Sequence, residues 1–186
     1  MSIYCAVEKD QKIVFGCDSI HTFGRMVSPK GFIQTPKIVF GTDFACGIAG
    51  TPSVRLHLNV FLSKGEGLSE LKGEDEVFDF FHKFFEFLKD ERYLNPDVSD
   101  DTDFEAWEFE FLLTNKHGIF SIHELREVFR HRNFFAIGSG SEFALGAMHA
   151  VYDTTPFDAK AVVNAGLTAA DAFDSMSSSP FNILSF

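Results

Sequence analysis

With 186 residues, 45% of them hydrophobic, the chain suits one domain spanning 1–186 and carries enough apolar mass for a substantial core. A formal charge of −11 argues against a nucleic-acid binder, which needs a basic stripe for phosphates, and equally against binding to an anionic membrane surface. No stretch is long and apolar enough to span a bilayer, so neither nucleic acid nor membrane is an expected partner.

The start of the chain lacks a charged segment followed by an apolar one, which argues against a secretory signal. Cys5, Cys17 and Cys46 lie in apolar, strand-like runs and form no Cys-x-x-Cys pair, which suits buried reduced thiols in a cytoplasmic protein. The seven histidines show no ligand spacing, so no metal and no cofactor are expected. Phe is abundant, at 24 residues against one Trp and three Tyr, and such rings belong in a core or a subunit interface. Much of the acid falls between Glu66 and Asp103, as a solvated face would require.

In chain order, Ile3–Glu8 and Ile13–Asp18 flank the polar turn Glu8-Lys9-Asp10-Gln11 and predict a β-hairpin at the very start of the chain. Chain ends fray unless something holds them, so a strand beginning here needs a reason. Ser2 stands directly behind Met1. Were Met1 removed, Ser2 would carry a free α-amine beside its hydroxyl, a base and a nucleophile on one residue. Ser19 to Phe32 is turn-rich, with Gly24, Pro29 and Gly31. Lys37–Phe40 predicts a short strand, Gly41-Thr42-Asp43 a turn, and Phe44–Ala49 a strand ending at Gly50.

Thr51 is placed to cap the next helix with Pro52 at its first position. Val54, Leu58, Phe61 and Leu62 share a face there, and Gly65-Glu66-Gly67 breaks the helix. A second helix is predicted over Asp75–Lys89, with Val77, Phe78, Phe81, Phe84, Phe85 and Leu88 at helical spacing and Phe80 and Phe87 widening the stripe. Asn95–Asp101 is an acidic loop. Trp107–Thr114 and Gly118–His123 predict a hairpin, Leu125–Arg132 carries no clear pattern, and Phe134–Ile137 predicts a strand running into Gly138-Ser139-Gly140. Ser141 can cap a helix over Glu142–Tyr152, Asp158–Asp174 gives another rich in alanine, and Phe181–Phe186 alternates as an edge strand. Strands, two helices, strands, two helices and a final strand predict a layered α+β fold with helices covering antiparallel sheets.

Four places in the sequence carry a family likeness. They are Ser2 with its strand and Phe15-Gly16-Cys17-Asp18-Ser19; Lys37-Ile38; Gly47-Ile48-Ala49-Gly50 before a helix; and Ala136-Ile137-Gly138-Ser139-Gly140-Ser141, followed later by Asp174-Ser175-Met176-Ser177. In this ordered set the chain resembles the proteasome β-subunit superfamily of N-terminal nucleophile (Ntn) hydrolases, and within it the bacterial HslV-type peptidase and its relatives. The resemblance covers nearly the whole chain and is weakest around Leu94–Trp107. It implies a four-layer αββα sandwich and hydrolysis of peptide bonds.

The resemblance also implies a role for each matched residue. Ser2 Oγ would attack the amide carbonyl, and the α-amine of Ser2 would take the proton. Lys37 would keep that amine neutral, and Asp18 would hold Lys37. The backbone N–H of Gly50 would face the oxyanion, while Ser139, Asp174 and Ser177 would form a hydrogen-bonded support around the terminal amine. The implied partners are further copies of the chain in a ring, a ring ATPase unfoldase, and a peptide or protein substrate. Taken singly, Asp18 also fits a turn residue, Lys37 a solvated lysine and Ser139 a turn or cap serine.

The sequence differs from the family pattern in three ways. Ser replaces the usual Thr, Cys17 separates Gly16 from Asp18, and Ile20 stands where many proteasome subunits have Arg. Two other functions share the fold. One is an inactive structural or assembly subunit in which retained Met1 acylates the amine of Ser2. The other is a hydrolase of small amides.

Overall fold

The computed structural model describes residues 2–23, 26–28, 32–65, 70–92, 94 and 106–186. Its strands are β1 (Ile3–Lys9), β2 (Lys12–Cys17), β3 (His21–Phe23), β4 (Met26–Ser28), β5 (Val39–Phe40), β6 (Phe44–Gly50), β7 (Phe109–Asn115), β8 (Gly118–Ile122), β9 (Val128–His131), β10 (Phe134–Gly138) and β11 (Asn182–Ser185). Its helices are α1 (Val54–Ser63), α2 (Glu74–Arg92), α3 (Ser141–Val151) and α4 (Ala159–Phe173).

The opening hairpin forms as the sequence predicts, with β1 and β2 antiparallel from Tyr4 opposite Cys17 to Lys9 opposite Lys12. Asp10 (φ 52°) and Gln11 (φ 59°) turn the chain, the left-handed pair that a two-residue hairpin loop needs to match strand twist. β1 is interior to a four-stranded sheet of order β10-β1-β2-β11, which is what holds the start of the chain in place. A second, five-stranded sheet runs β5-β6-β7-β8-β9, and β3 with β4 makes a separate two-stranded ribbon.

The strand alternation sorts side chains into three apolar layers. Ile3, Cys5 and Val7 of β1 pack with Val162, Val163 and Leu167 of α4 and Ala144 and Met148 of α3. Tyr4 and Ala6 point the other way and meet Phe15, Ala45, Leu112 and Ile119 between the two sheets. The outer face of the five-stranded sheet meets α1 and α2 through Phe44, Phe111, Leu113 and Phe120 against Leu58, Phe61, Phe81 and Phe84. Helices therefore cover two face-to-face sheets on both sides, the αββα order. Ten of the 24 phenylalanines lie in the α1–α2 layer: Phe44, Phe61, Phe80, Phe81, Phe84, Phe85, Phe87, Phe109, Phe111 and Phe120. Each buried ring contributes roughly 2–3 kcal/mol of hydrophobic stabilisation before the entropy of ordering is set against it.

Several boundaries differ from the sequence-based expectation. Thr51 does not cap α1 with its side chain. Ser53 holds the cap position without a side-chain hydrogen bond, and Thr51 contributes only its carbonyl, to Val54 N at 3.3 Å. Ser141 is the first residue of α3 rather than its cap, because Gly140 occupies that position. Asp158 does cap, its carboxylate accepting from Ala161 N at 2.8 Å. The Lys37–Phe40 strand shrinks to Val39–Phe40. The turn-rich Ser19–Phe32 stretch contains β3 and β4, and the unassigned Leu125–Arg132 contains β9. Phe78 leaves the apolar stripe of α2, being 45% exposed and stacked on His82. Asn95–Asp101, Gly24, Pro29, Gly31 and the Glu66-Gly67 part of the helix break lie outside the described residues. Among the described residues no helix is long and apolar enough to cross a membrane.

Candidate active site

Ser2 immediately precedes β1, so its place is fixed by the strand behind it. Ile3 N donates to Asp18 Oδ1 at 3.1 Å, and Asp18 N donates to Ile3 O at 3.3 Å, tying the start of β1 to the end of β2. On the other flank, Gly138 of β10 lies opposite Ile3. Gly138 has φ +99°, and a Cβ there would come within 1.9 Å of the Ser2 carbonyl oxygen, so only glycine allows the chain to pass this close.

Lys37 reaches this point from the bend before β5. Its Nζ lies 2.8 Å from Asp18 Oδ1, 2.8 Å from Oδ2 and 3.1 Å from Ser2 Oγ. Asp18 is fully buried and Lys37 is 6% exposed. That excludes a solvated surface lysine. Asp18 does serve its turn, accepting from Ile20 N at 3.3 Å, but it serves the lysine as well. A buried ion pair lacks water to satisfy its remaining valences, so each group needs such extra partners. Tyr4 supplies another link: its hydroxyl donates to the Lys37 carbonyl oxygen at 3.3 Å. Burial raises the Tyr4 phenol well above its ordinary value, so it stays a protonated donor at neutral pH.

A second polar group sits where α4 ends. Ser139 Oγ and Ser177 Oγ both donate to Asp174 Oδ2, at 2.7 Å and 2.6 Å, and Met176 N donates to Oδ1 at 3.1 Å. Burial pushes the Asp174 carboxyl up, but these donors outweigh it and hold the group below its usual value. Gly140 leaves room for the cluster, since a Cβ there would lie 3.1 Å from Ser177 Oγ and 3.2 Å from Asp174 Oδ2. Among the described residues no hydrogen bond joins this cluster to Ser2. The two meet only through a cavity of about 190 Å³ that Ser2, Gly50 and Ser139 line together with Glu108, Glu110 and Glu124.

Gly50 ends β6 with φ +104°, and a Cβ there would fall 2.2 Å from the Glu108 carbonyl oxygen. It borders a second cavity as well, of about 300 Å³, shared by Ser2, Tyr4, Ile20, His21, Ile33, Lys37, Ile48 and Arg55 among others. Ser2 thus stands between two recesses. Of the seven residues singled out in the sequence, Ser2, Asp18 and Lys37 form one hydrogen-bonded set and Ser139, Asp174 and Ser177 another. Gly50 lies beside Ser2 in both cavities. Sequence reasoning missed Tyr4, Gly138 and Arg55. The alternation of β1 would have turned Tyr4 inward, opposite in sense to Ile3, whereas nothing local marks Gly138 as facing Ser2.

The thiols do not compete as nucleophiles. Burial, then the charge of Asp18, pushes Cys17 up to about 12, and burial likewise raises Cys5 and Cys46 far above the thiol range. Among the described residues no group of three or more His, Cys, Asp or Glu side chains could hold a metal ion.

Two sheets enclosed by helix pairs, with a hydroxyl residue at the head of a central strand and a buried lysine beside it, define an Ntn-hydrolase fold of the proteasome β-subunit type, and the fold is HslV-like over nearly the full length of the chain. Among solved structures it is similar to Thiobacillus denitrificans BPH, in two structures, one a complex with epoxomicin. The identity is 28% and the TM-score 0.90, over 99% of this chain and 97% of that one. It is also similar in fold to eukaryotic HslV from Trypanosoma brucei, at 20% identity and a TM-score of 0.76 over 98% of both chains. No protein-family model matches the sequence. No curated protein matches it.

Proposed function

We propose that the chain is a serine-type Ntn peptidase that uses Ser2 once Met1 is removed. The observation that carries this reading is the Lys37 ammonium, bound by Asp18 and 3.1 Å from Ser2 Oγ at the mouth of a cavity large enough for a side chain. Ser2 Oγ adds to the scissile carbonyl and its proton passes to the Ser2 α-amine, directly or through a water. A free α-amine titrates near ~8 and is a usable base at neutral pH. Lys37 donates to Oγ and places positive charge beside the amine, which favours the neutral, basic form. The carbonyl oxygen becomes an oxyanion that the Gly50 N–H receives, an interaction worth about 3 kcal/mol in the transition state. Collapse breaks the C–N bond. The leaving amine takes the proton from the α-ammonium, and an acyl ester stays on Ser2. Water, deprotonated by the same amine, then adds to the ester, and Oγ departs with its proton restored. Ser139, Asp174 and Ser177 orient the amine.

The likeness to HslV extends the proposal to a cytoplasmic ring of identical subunits that encloses peptide or protein substrates, with a ring ATPase as the partner that delivers them. Intact mass gives the first test: loss of one Met is expected, and full retention in the working assembly would instead make the chain an inactive assembly subunit. Cleavage of fluorogenic peptides is the second. Ser2→Ala should abolish it with the fold intact, and Lys37→Ala should do the same. Either variant cleaving at the parental rate would overturn the assignment. Activity confined to small amides, in a monomer or dimer by light scattering, would point to the small-amide reading.

A further inference from the structure

The two cavities that meet at Ser2 differ in charge. The smaller is lined by three acidic residues, Glu108, Glu110 and Glu124. Among the described residues the larger has no acidic residue in its lining, and its charged groups are Lys37 and Arg55. Lys37 is already paired with Asp18. Arg55 has no carboxylate partner among the described residues, in a chain where 27 acidic side chains outnumber 16 basic ones. The other ionisable ring in the wall is His21. Burial first, and then the charges of Lys37 and Arg55, hold it below the ordinary imidazole range. At neutral pH the described residues of the larger cavity therefore carry one uncompensated charge, on the guanidinium.

Helix stability does not account for Arg55. It lies in the first turn of α1, where the helix dipole disfavours a cation, and that turn holds no acidic residue to offset it. The rest of the wall includes Ile20, Ile33, Ile48 and Leu56, an apolar setting in which a charge pair is stronger than in water. A volume of about 300 Å³ accommodates one side chain of a peptide.

From this arrangement we infer that Arg55 is a specificity-determining residue, selecting peptides whose residue on the acyl side of the scissile bond is Glu or Asp. The inference rests on the peptidase reading given above. That reading also gives the direction. On that reading the leaving amine collects its proton from the α-amine, which Ser139 and its partners orient, and Ser139 lines the smaller, acidic cavity. The acyl-side residue is then left to the cavity of Arg55. The carboxylates across Ser2 reinforce the choice by repelling a substrate acid from the wrong recess. The guanidinium fork suits a carboxylate, to which it donates two parallel hydrogen bonds.

The test compares fluorogenic peptides identical except for an acyl-side Glu, Gln, Leu or Lys. The expected result is kcat/KM for Glu on the order of 10-fold above Gln, as a charge-assisted hydrogen bond provides. In Arg55→Gln that ratio should fall to about one, and in Arg55→Glu the preference should pass to Lys, the sign following the charge at residue 55. A Glu-to-Gln ratio of one or less in the parent, a preference for Leu over Glu, or a ratio that survives Arg55→Gln overturns the inference while leaving the peptidase reading standing. Failure to cleave any of the four peptides is the separate failure of that reading. Binding then decides the matter without turnover. Fluorescence anisotropy on the Ser2→Ala protein should find a peptide amide ending in Glu roughly tenfold tighter than one ending in Gln, and Arg55→Gln should erase the difference. Equal affinities overturn the inference.

Discussion

Lys37 Nζ lies 2.8 Å from both carboxylate oxygens of Asp18, and the Asp18 side chain is wholly shielded from solvent. Removing one member of such a pair leaves an uncompensated charge in a poor solvent. The two members are not equivalent, however. Asp18 keeps donors from Ile3 N and Ile20 N if the lysine is lost, whereas among the described residues Lys37 keeps only Ser2 Oγ if the carboxylate is lost.

Stability should expose that asymmetry. Asp18→Asn is expected to destabilise by about 3 kcal/mol, the lower end for breaking a buried pair, and Lys37→Met by less. Urea unfolding of the two variants checks this. The account fails if the lysine variant has the lower midpoint. Both variants should lose peptide cleavage, so activity alone cannot separate them.

How much of this was legible in the sequence differs between the fold and the site. The hairpin and the layered α+β plan follow from period-2 and period-3.6 apolar patterns, which are strong where a face is buried, whereas the four-layer αββα order came from the family resemblance. Short elements were not legible. β3, β4 and β9 are three or four residues long, and none of their described side chains is fully buried, so they carry little patterning. Cap positions slipped because several small polar residues are adjacent, and backbone geometry decides among them, as at Thr51 and Ser53. For the site, the family spacing directed attention to Ser2, Asp18 and Lys37. That Lys37 is buried beside Ser2 could not be read from a stretch with Thr35 and Pro36 before it. Arg55 gives no sign of itself in sequence, because an arginine on an amphipathic helix is ordinary until a cavity is found beside it.

Gly138 should be intolerant of any side chain. Its φ is +99°, and a Cβ would meet the Ser2 carbonyl oxygen at 1.9 Å, so β10 or the head of β1 must shift. Gly138→Ala is expected to cost about 2 kcal/mol or more from the strained backbone and the clash together. It should also depress kcat/KM far beyond that loss of stability, because an ångström of misplacement at a nucleophile costs on the order of 100-fold. Thermal unfolding and peptide hydrolysis on the same preparation check both parts. Full activity in a folded variant would mean that the position of Ser2 is not set by this contact.

Asp174 gives an acid-side prediction. Burial raises its carboxyl, but the hydroxyls of Ser177 and Ser139 and the Met176 N–H lower it further, so the folded value lies below the unfolded one. A depressed carboxyl contributes stability that is fully present above the unfolded carboxylate range and is lost as pH falls through the folded value. Ser177→Ala removes the 2.6 Å donor from a buried hydroxyl and should move this acid loss to higher pH. Ser139→Ala should move it less, since water can replace an exposed hydroxyl. Melting temperatures recorded across the acid limb distinguish the two, and a larger effect from Ser139→Ala would contradict the ranking.

His131 governs a different part of the pH range. Its Nε2 lies 2.8 Å from Ser121 Oγ, which also lies 2.8 Å from His123 Nε2, and its ring stacks on Phe135 at 3.8 Å. Ser121 is fully buried, and its one proton can serve only one of the two imidazoles. Burial, then the proximity of His123, lowers His131 from 6.5 to about 4, with Glu74 opposing weakly from α2. The sign follows from proton counting. Between about 4 and 6.5 the unfolded chain holds a proton that the folded chain does not, so stability falls as pH drops through that window. Above it the ring is neutral in both states and costs nothing. Below it both states are protonated and the loss levels off. His131→Gln keeps a polar partner for Ser121 and removes the titration, so its stability should vary less between pH 6.5 and 4 than the parent's. Urea midpoints at several pH values in that window provide the check. An unchanged slope in His131→Gln would assign the acid sensitivity to another group.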